Sequence, residues 1–175
     1  MNLIKGNNVI NTVIKVNKER TLEDNELINS FISAHDDTFG SNCTKLPDEM
    51  TSIRTNSFLG CTNLALTELP DTIATIGSAA FRGCTNLKLT KLPKNLTYIG
   101  THAFYECKNL ALTELPNTLT TIDRHAFYDT RVAFTEIPES VTTIGDSAFF
   151  NTSLTVLDFK CKTLTINDWA FSQVY

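Results

Sequence analysis

Apolar residues recur along this chain with a period of 22 or 23. Phenylalanines fall at Phe58, Phe81, Phe104, Phe127, Phe149 and Phe171, spaced by 23, 23, 23, 22 and 22 residues. Isoleucines keep the same step at Ile53, Ile76, Ile99, Ile122, Ile144 and Ile166. The five prolines (Pro47, Pro70, Pro93, Pro116, Pro138) share one further position. Three registers in phase define an internal repeat, and such repeats imply stacked units. In the unit Leu64 to Cys84, the run Leu64-x-Leu66-x-x-Leu69 predicts a strand, ended by Pro70, which lacks a backbone donor. Ile73-x-x-Ile76-Gly77 predicts the turn that follows, with Gly77 and Gly100 taking positive φ. Ala80-Phe81-x-x-Cys84 puts three residues inward on one helical or 3₁₀ turn. A unit this short cannot bury its apolar face alone, but stacked copies can, with strands about 4.8 Å apart.

These residues resemble the BspA-type leucine-rich repeat, over roughly Leu46 to Phe171, and the Ile-Gly-x-x-Ala-Phe-x-x-Cys portion is its most specific part. The resemblance implies an α/β fold: a right-handed leucine-rich-repeat solenoid with a parallel strand ladder and short helical or 3₁₀ convex turns. It also implies a bacterial or protozoan surface protein that adheres to host or partner proteins. One departure stands out. Leu66, Leu89 and Leu112 lie three residues before the Leu-Pro leucine instead of two, and Thr67, Thr90 and Thr113 take positions that are usually apolar. Only Leu154-x-x-Leu157-x-Phe159 keeps the usual spacing. The stretch Cys61 to Pro70 and the lead-in Leu22 to Ile28 are also similar to tail-associated proteins of bacteriophages that infect gut bacteria. That second resemblance implies a structural virion component, such as a tail fibre or receptor-binding protein.

The end of a solenoid exposes a coil edge, so a cap is expected. Residues 1–40 lack the repeat and read as an N-terminal cap. Val9, Ile10, Val13, Ile14 and Val16 predict short strands; Thr21 as N-cap, with Leu27, Ile28, Phe31 and Ile32, predicts a helix over about 22–34. Residues 41–175 then form a solenoid of about six coils. At the far end, either Trp169 and Tyr175 cover the last edge or the edge pairs with another chain in a homo-oligomer.

Composition narrows the function. The chain has 175 residues, 42% hydrophobic and 19% charged, in the range of one globular domain. A net charge of −4 argues against nucleic-acid binding, which needs a basic face. No run approaches the roughly 20 apolar residues of a membrane span, and Met1 to Asn8 lack the apolar run of a signal peptide. Nucleophile elbows, phosphate loops, His-Glu-x-x-His and Cys-x-x-Cys patterns are all missing. The expectation is therefore a non-catalytic module, without cofactor or metal, that binds a protein or cell-surface macromolecule.

Candidate side chains follow from the columns that stacking creates. Cys61, Cys84 and Cys107 share one position and read as small core thiols, with Thr130 and Thr152 filling the same slot. His102 and His125 also stack; two ligands alone make a weak metal site, so they read as exposed surface histidines. The position after the repeat phenylalanine reads Leu59, Arg82, Tyr105, Tyr128, Phe150. Aromatics on successive coils form a stripe, and tyrosine and arginine are favoured at interfaces, so Arg82, Tyr105, Tyr128 and Phe150 are the expected partner-binding residues.

Overall fold

The computed structural model describes residues 45–46 and 48–174; the expected cap, with its strands and its helix over about 22–34, lies outside them. Each coil contributes one two-residue strand: β1 (Ser52–Ile53), β2 (Thr75–Ile76), β3 (Tyr98–Ile99), β4 (Thr121–Ile122), β6 (Thr143–Ile144) and β8 (Thr165–Ile166). These six pair in parallel, in the order β1-β2-β3-β4-β6-β8, isoleucine opposite isoleucine. The alternation explains the shortness. The isoleucine points into the core, its serine, threonine or tyrosine neighbour points out, and the chain bends at the next residue.

The main ladder is therefore not on the leucine run, where the sequence places it, but on the segment read as a turn. On the leucine side a second sheet forms only between β5 (Glu136–Ile137) and β7 (Asp158–Phe159). β7 belongs to the one unit with the usual leucine spacing. Elsewhere the extra residue between inward leucines spoils the two-residue alternation that a strand needs. Neighbouring coils then meet there through scattered bonds, such as Lys88 N to Leu66 O at 3.3 Å.

The expected helical or 3₁₀ turns are also replaced: the described residues contain no helix, and none is long and apolar enough to cross a membrane. In their place run successive β-turns. Ala80 N donates to Gly77 O at 3.3 Å, Arg82 N to Ala79 O at 3.3 Å, and Cys84 N to Phe81 O at 3.0 Å. Ala79 (φ 51°) and Gly83 (φ 73°) are the third residues of the first and last of these turns. A positive φ at that step reverses the curl which a helix would continue. His102 and Glu106, His125 and Asp129, Ser147 and Asn151 repeat the pattern in later coils. The turns leave alternate N–H groups free to donate to the following coil, as Phe81 N does to Ala103 O at 2.8 Å. On the ladder side the polarity is opposite, and Gly77 N donates back to Ile53 O at 2.7 Å.

Gly77 and Gly100 do not have positive φ; among the described glycines only Gly60 and Gly83 do. Their role is close approach. A Cβ on Gly77 would sit 2.6 Å from Thr55 N, and one on Gly100 2.8 Å from Ser78 N.

The core is a set of vertical columns. The phenylalanine rings stack with centroids 5.2–5.6 Å apart from Phe58 through Phe81, Phe104, Phe127 and Phe149 to Phe171. Ile76, Ile99, Ile122 and Ile144 are fully buried beside them. Cys84 and Cys107 are buried free thiols donating to Phe58 O and Phe81 O at 3.0 Å, and Cys61 is half-buried. Burial pushes both buried thiols up, Cys107 to about 12, so neither is a nucleophile at neutral pH. In the last coil the columns open: Ile166 is 47% and Trp169 72% exposed.

Candidate binding face

The turn side carries the large outward side chains. The residue after each repeat phenylalanine leaves the core because the phenylalanine itself points in. Since every coil repeats this bend, those residues stack at the coil spacing. Tyr105, Tyr128 and Phe150 lie ring on ring, with centroids 4.7 Å apart and planes within 13°. Arg82 extends the column by laying its guanidinium over Tyr105, 5.1 Å from the ring centre. The structure thus brings together all four residues expected from the sequence.

A second column runs beside the first and was misread. His102 and His125 are half-buried instead of exposed, and their ring centroids lie 4.7 Å apart with the planes tilted by 36°. His125 Nδ1 lies 3.1 Å from His102 Nε2, one ring donating and the other accepting. His102 tilts against Tyr105, and His125 meets Tyr128 edge-on. Five rings therefore form a single two-column wall. Both histidines sit at positive φ, at the third residue of a turn, which folds them back toward the tyrosines. The readable signal was their shared repeat position, three residues from the tyrosines.

Local electrostatics favours the neutral forms of the two histidines and of Tyr105. Burial, then the neighbouring His125, Arg82 and Arg124, lowers the His102 pKa below the usual imidazole value, with Asp123 opposing. Burial and Arg124 lower that of His125, against Asp146. Burial raises the Tyr105 hydroxyl, so it stays protonated and able to donate. Nearby carboxylates are partly engaged. Asp123 accepts from Tyr98 Oη at 2.9 Å and Arg124 N at 2.7 Å, and Asp129 accepts from Asn151 at 2.8 Å and pairs with Lys108 at 3.4 Å.

Among the described residues no group of three or more His, Cys, Asp or Glu side chains is placed to hold a metal. A cleft of about 160 Å³ between Lys45, Asp48, Glu68, Asp71 and Lys91 is smaller than ordinary ligand sites, which run from about 300 Å³. Parallel coils stacked on buried columns, with large side chains repeated along the turns, define a class: the repeat-built solenoids.

The comparisons make the class specific. Six copies of the BspA type leucine-rich repeat region match residues 51–175, and the chain belongs to that family. Three solved structures are similar. A leucine-rich repeat protein from Bacteroides ovatus is 29% identical, with a TM-score of 0.58, over 70% of this chain and 38% of its own length. A leucine-rich cell surface protein from Faecalibacterium prausnitzii is 26% identical with a TM-score of 0.51, over 67% of this chain and 38% of its own. A leucine-rich repeat protein from T. pallidum is 30% identical with a TM-score of 0.51, over 67% of this chain and 55% of its own. This chain thus spans well under two thirds of each. No curated protein matches it.

Proposed function

We propose that this chain is a non-catalytic protein-binding module that engages its partner through the turn-side wall of Arg82, Tyr105, Tyr128 and Phe150, supported by His102 and His125. The observation that carries this reading is the ring stack, with centroids 4.7 Å apart on successive coils. Buried columns are explained by core packing, but these rings are only half-buried and their outer edges and hydroxyls reach solvent. Stacking on one another fixes their rotamers before any partner arrives, which reduces the entropy lost on binding. A rigid, amphipathic aromatic surface of this kind is what interface hot spots are built from. The family membership supports a binding role, and the likeness to a cell surface protein of Faecalibacterium prausnitzii supports a partner met at a surface.

The test is binding of the chain to an array of purified secreted and cell-surface proteins. Tyr105→Ser combined with Tyr128→Ser removes partner binding while the melting temperature stays near that of the wild type. Array binding that survives the double substitution refutes this face.

A further inference from the structure

The ring column has two ends, and they differ. At Tyr105 the end face is covered by the chain's own Arg82, at 5.1 Å. At the other end Phe150 stacks on Tyr128, and the next residue in the column is Ser172. Serine has no ring to continue the stack, and Phe150 makes no second ring contact. On that side half-buried Phe150 therefore meets no stacked ring among the described residues, although a coil is present beyond it. The charge along the same side also changes. The position three residues before the repeat phenylalanine is Arg124 in one coil, then Asp146 and Asp168 in the next two. Among the described residues neither aspartate forms an ion pair. Trp169, 72% exposed, follows Asp168.

We propose that this step is a socket for an arginine side chain of a protein partner, its guanidinium seated on the unstacked face of Phe150 as Arg82 is seated on Tyr105, with the carboxylates of Asp146 and Asp168 as counter-charges. The inference rests on the turn-side wall being the binding face, and it names what that face selects. Arginine fits better than lysine because its planar cation stacks on a ring and offers forked donors to a carboxylate, whereas an ammonium is a strongly hydrated point charge. The net charge of −4 favours approach of a basic segment.

Fluorescence anisotropy with a labelled peptide of Gly-Arg-Gly repeats tests it. The peptide binds the wild type, and its citrulline analogue, neutral but of the same shape, binds at least 10-fold more weakly. Ser172→Arg covers Phe150 from within and abolishes binding while the melting temperature is unchanged. Phe150→Leu weakens binding about 10-fold. Equal binding of the citrulline peptide, full binding by the Ser172→Arg protein, or displacement of the peptide by neutral cellohexaose would overturn the socket. The two readings fail separately. If Tyr105→Ser/Tyr128→Ser abolishes array binding but the arginine peptide never binds, the face stands and the socket falls. If array binding ignores the tyrosines, the face itself falls and the socket with it.

Discussion

The ladder side and the turn side are built by the same repeat, yet they present different surfaces. Along the ladder the outward position reads Ser52, Thr75, Tyr98, Thr121, Thr143, Thr165, a nearly uniform column of small hydroxyls. Along the turns the outward position runs Leu59, Arg82, Tyr105, Tyr128, Phe150, Ser172 and never settles on one type. Uniformity is what stacking alone asks for, because each coil meets the same neighbour. Variation at a position whose inward neighbours stay fixed needs another cause, and recognition supplies one. The proposed binding face is on the side where a column is regular in place and irregular in chemistry.

Substitutions in the columns and turns, and a change of pH, sharpen or break this contrast. Phe104→Ala removes a fully buried ring from the middle of a stack and costs about 3–5 kcal/mol in equilibrium denaturation. Tyr105→Ser, one residue away, changes stability by far less. Equal losses would mean that the outward column is part of the core. Gly100→Ala places a Cβ 2.8 Å from Ser78 N and costs about 1–3 kcal/mol by overpacking, measured the same way. Glu106→Gly goes the other direction: at φ 57° a glycine relieves left-handed strain, and the chain gains roughly 1 kcal/mol. The smallest effect is that of pH. His102 and His125 have lowered pKa values in the fold, so the unfolded chain takes up protons first as pH falls through about 6.5. Their contribution is present above that pH and is lost below it, down through the depressed folded values. The melting temperature therefore drops between pH 7.5 and 5, and His102→Gln with His125→Gln flattens that part of the profile.

Much of this was legible in the sequence because stacking turns a period into columns. Phe58 to Phe171, Cys84 and Cys107, and the Arg82 to Phe150 stripe all follow from position within the unit. What was not legible is how the backbone travels between the columns. The i, i+3 spacing of Ala80, Phe81 and Cys84 suits one turn of helix, but a chain of β-turns with positive φ closes the same bonds. Gly60, Gly83, Asp129 and Asn151 at one repeat position were the available signal, since glycine, asparagine and aspartate tolerate that conformation best. The ladder was misplaced for a similar reason. Leucine-rich runs look like strands, whereas here Thr-Ile pairs make the pairing and the leucines fill the interior. The stacking of His102 on His125 follows from their shared repeat position, but their burial does not, because it comes from the tyrosines of the adjoining column.

The opposed bond directions on the two sides have an electrostatic consequence. In an α-helix every peptide dipole points the same way, and the sum leaves about half a unit of charge at each end. Here the turn-side N–H groups point toward the following coil, as in Phe81 N to Ala103 O, and the ladder-side ones toward the preceding coil, as in Gly77 N to Ile53 O. The axial dipoles oppose each other within every coil. Lengthening such a rod by another repeat therefore accumulates little field along its axis. The potential met by an approaching molecule is then set by side chains such as Arg82, Arg124, Asp146 and Asp168 and hardly at all by the number of coils behind them.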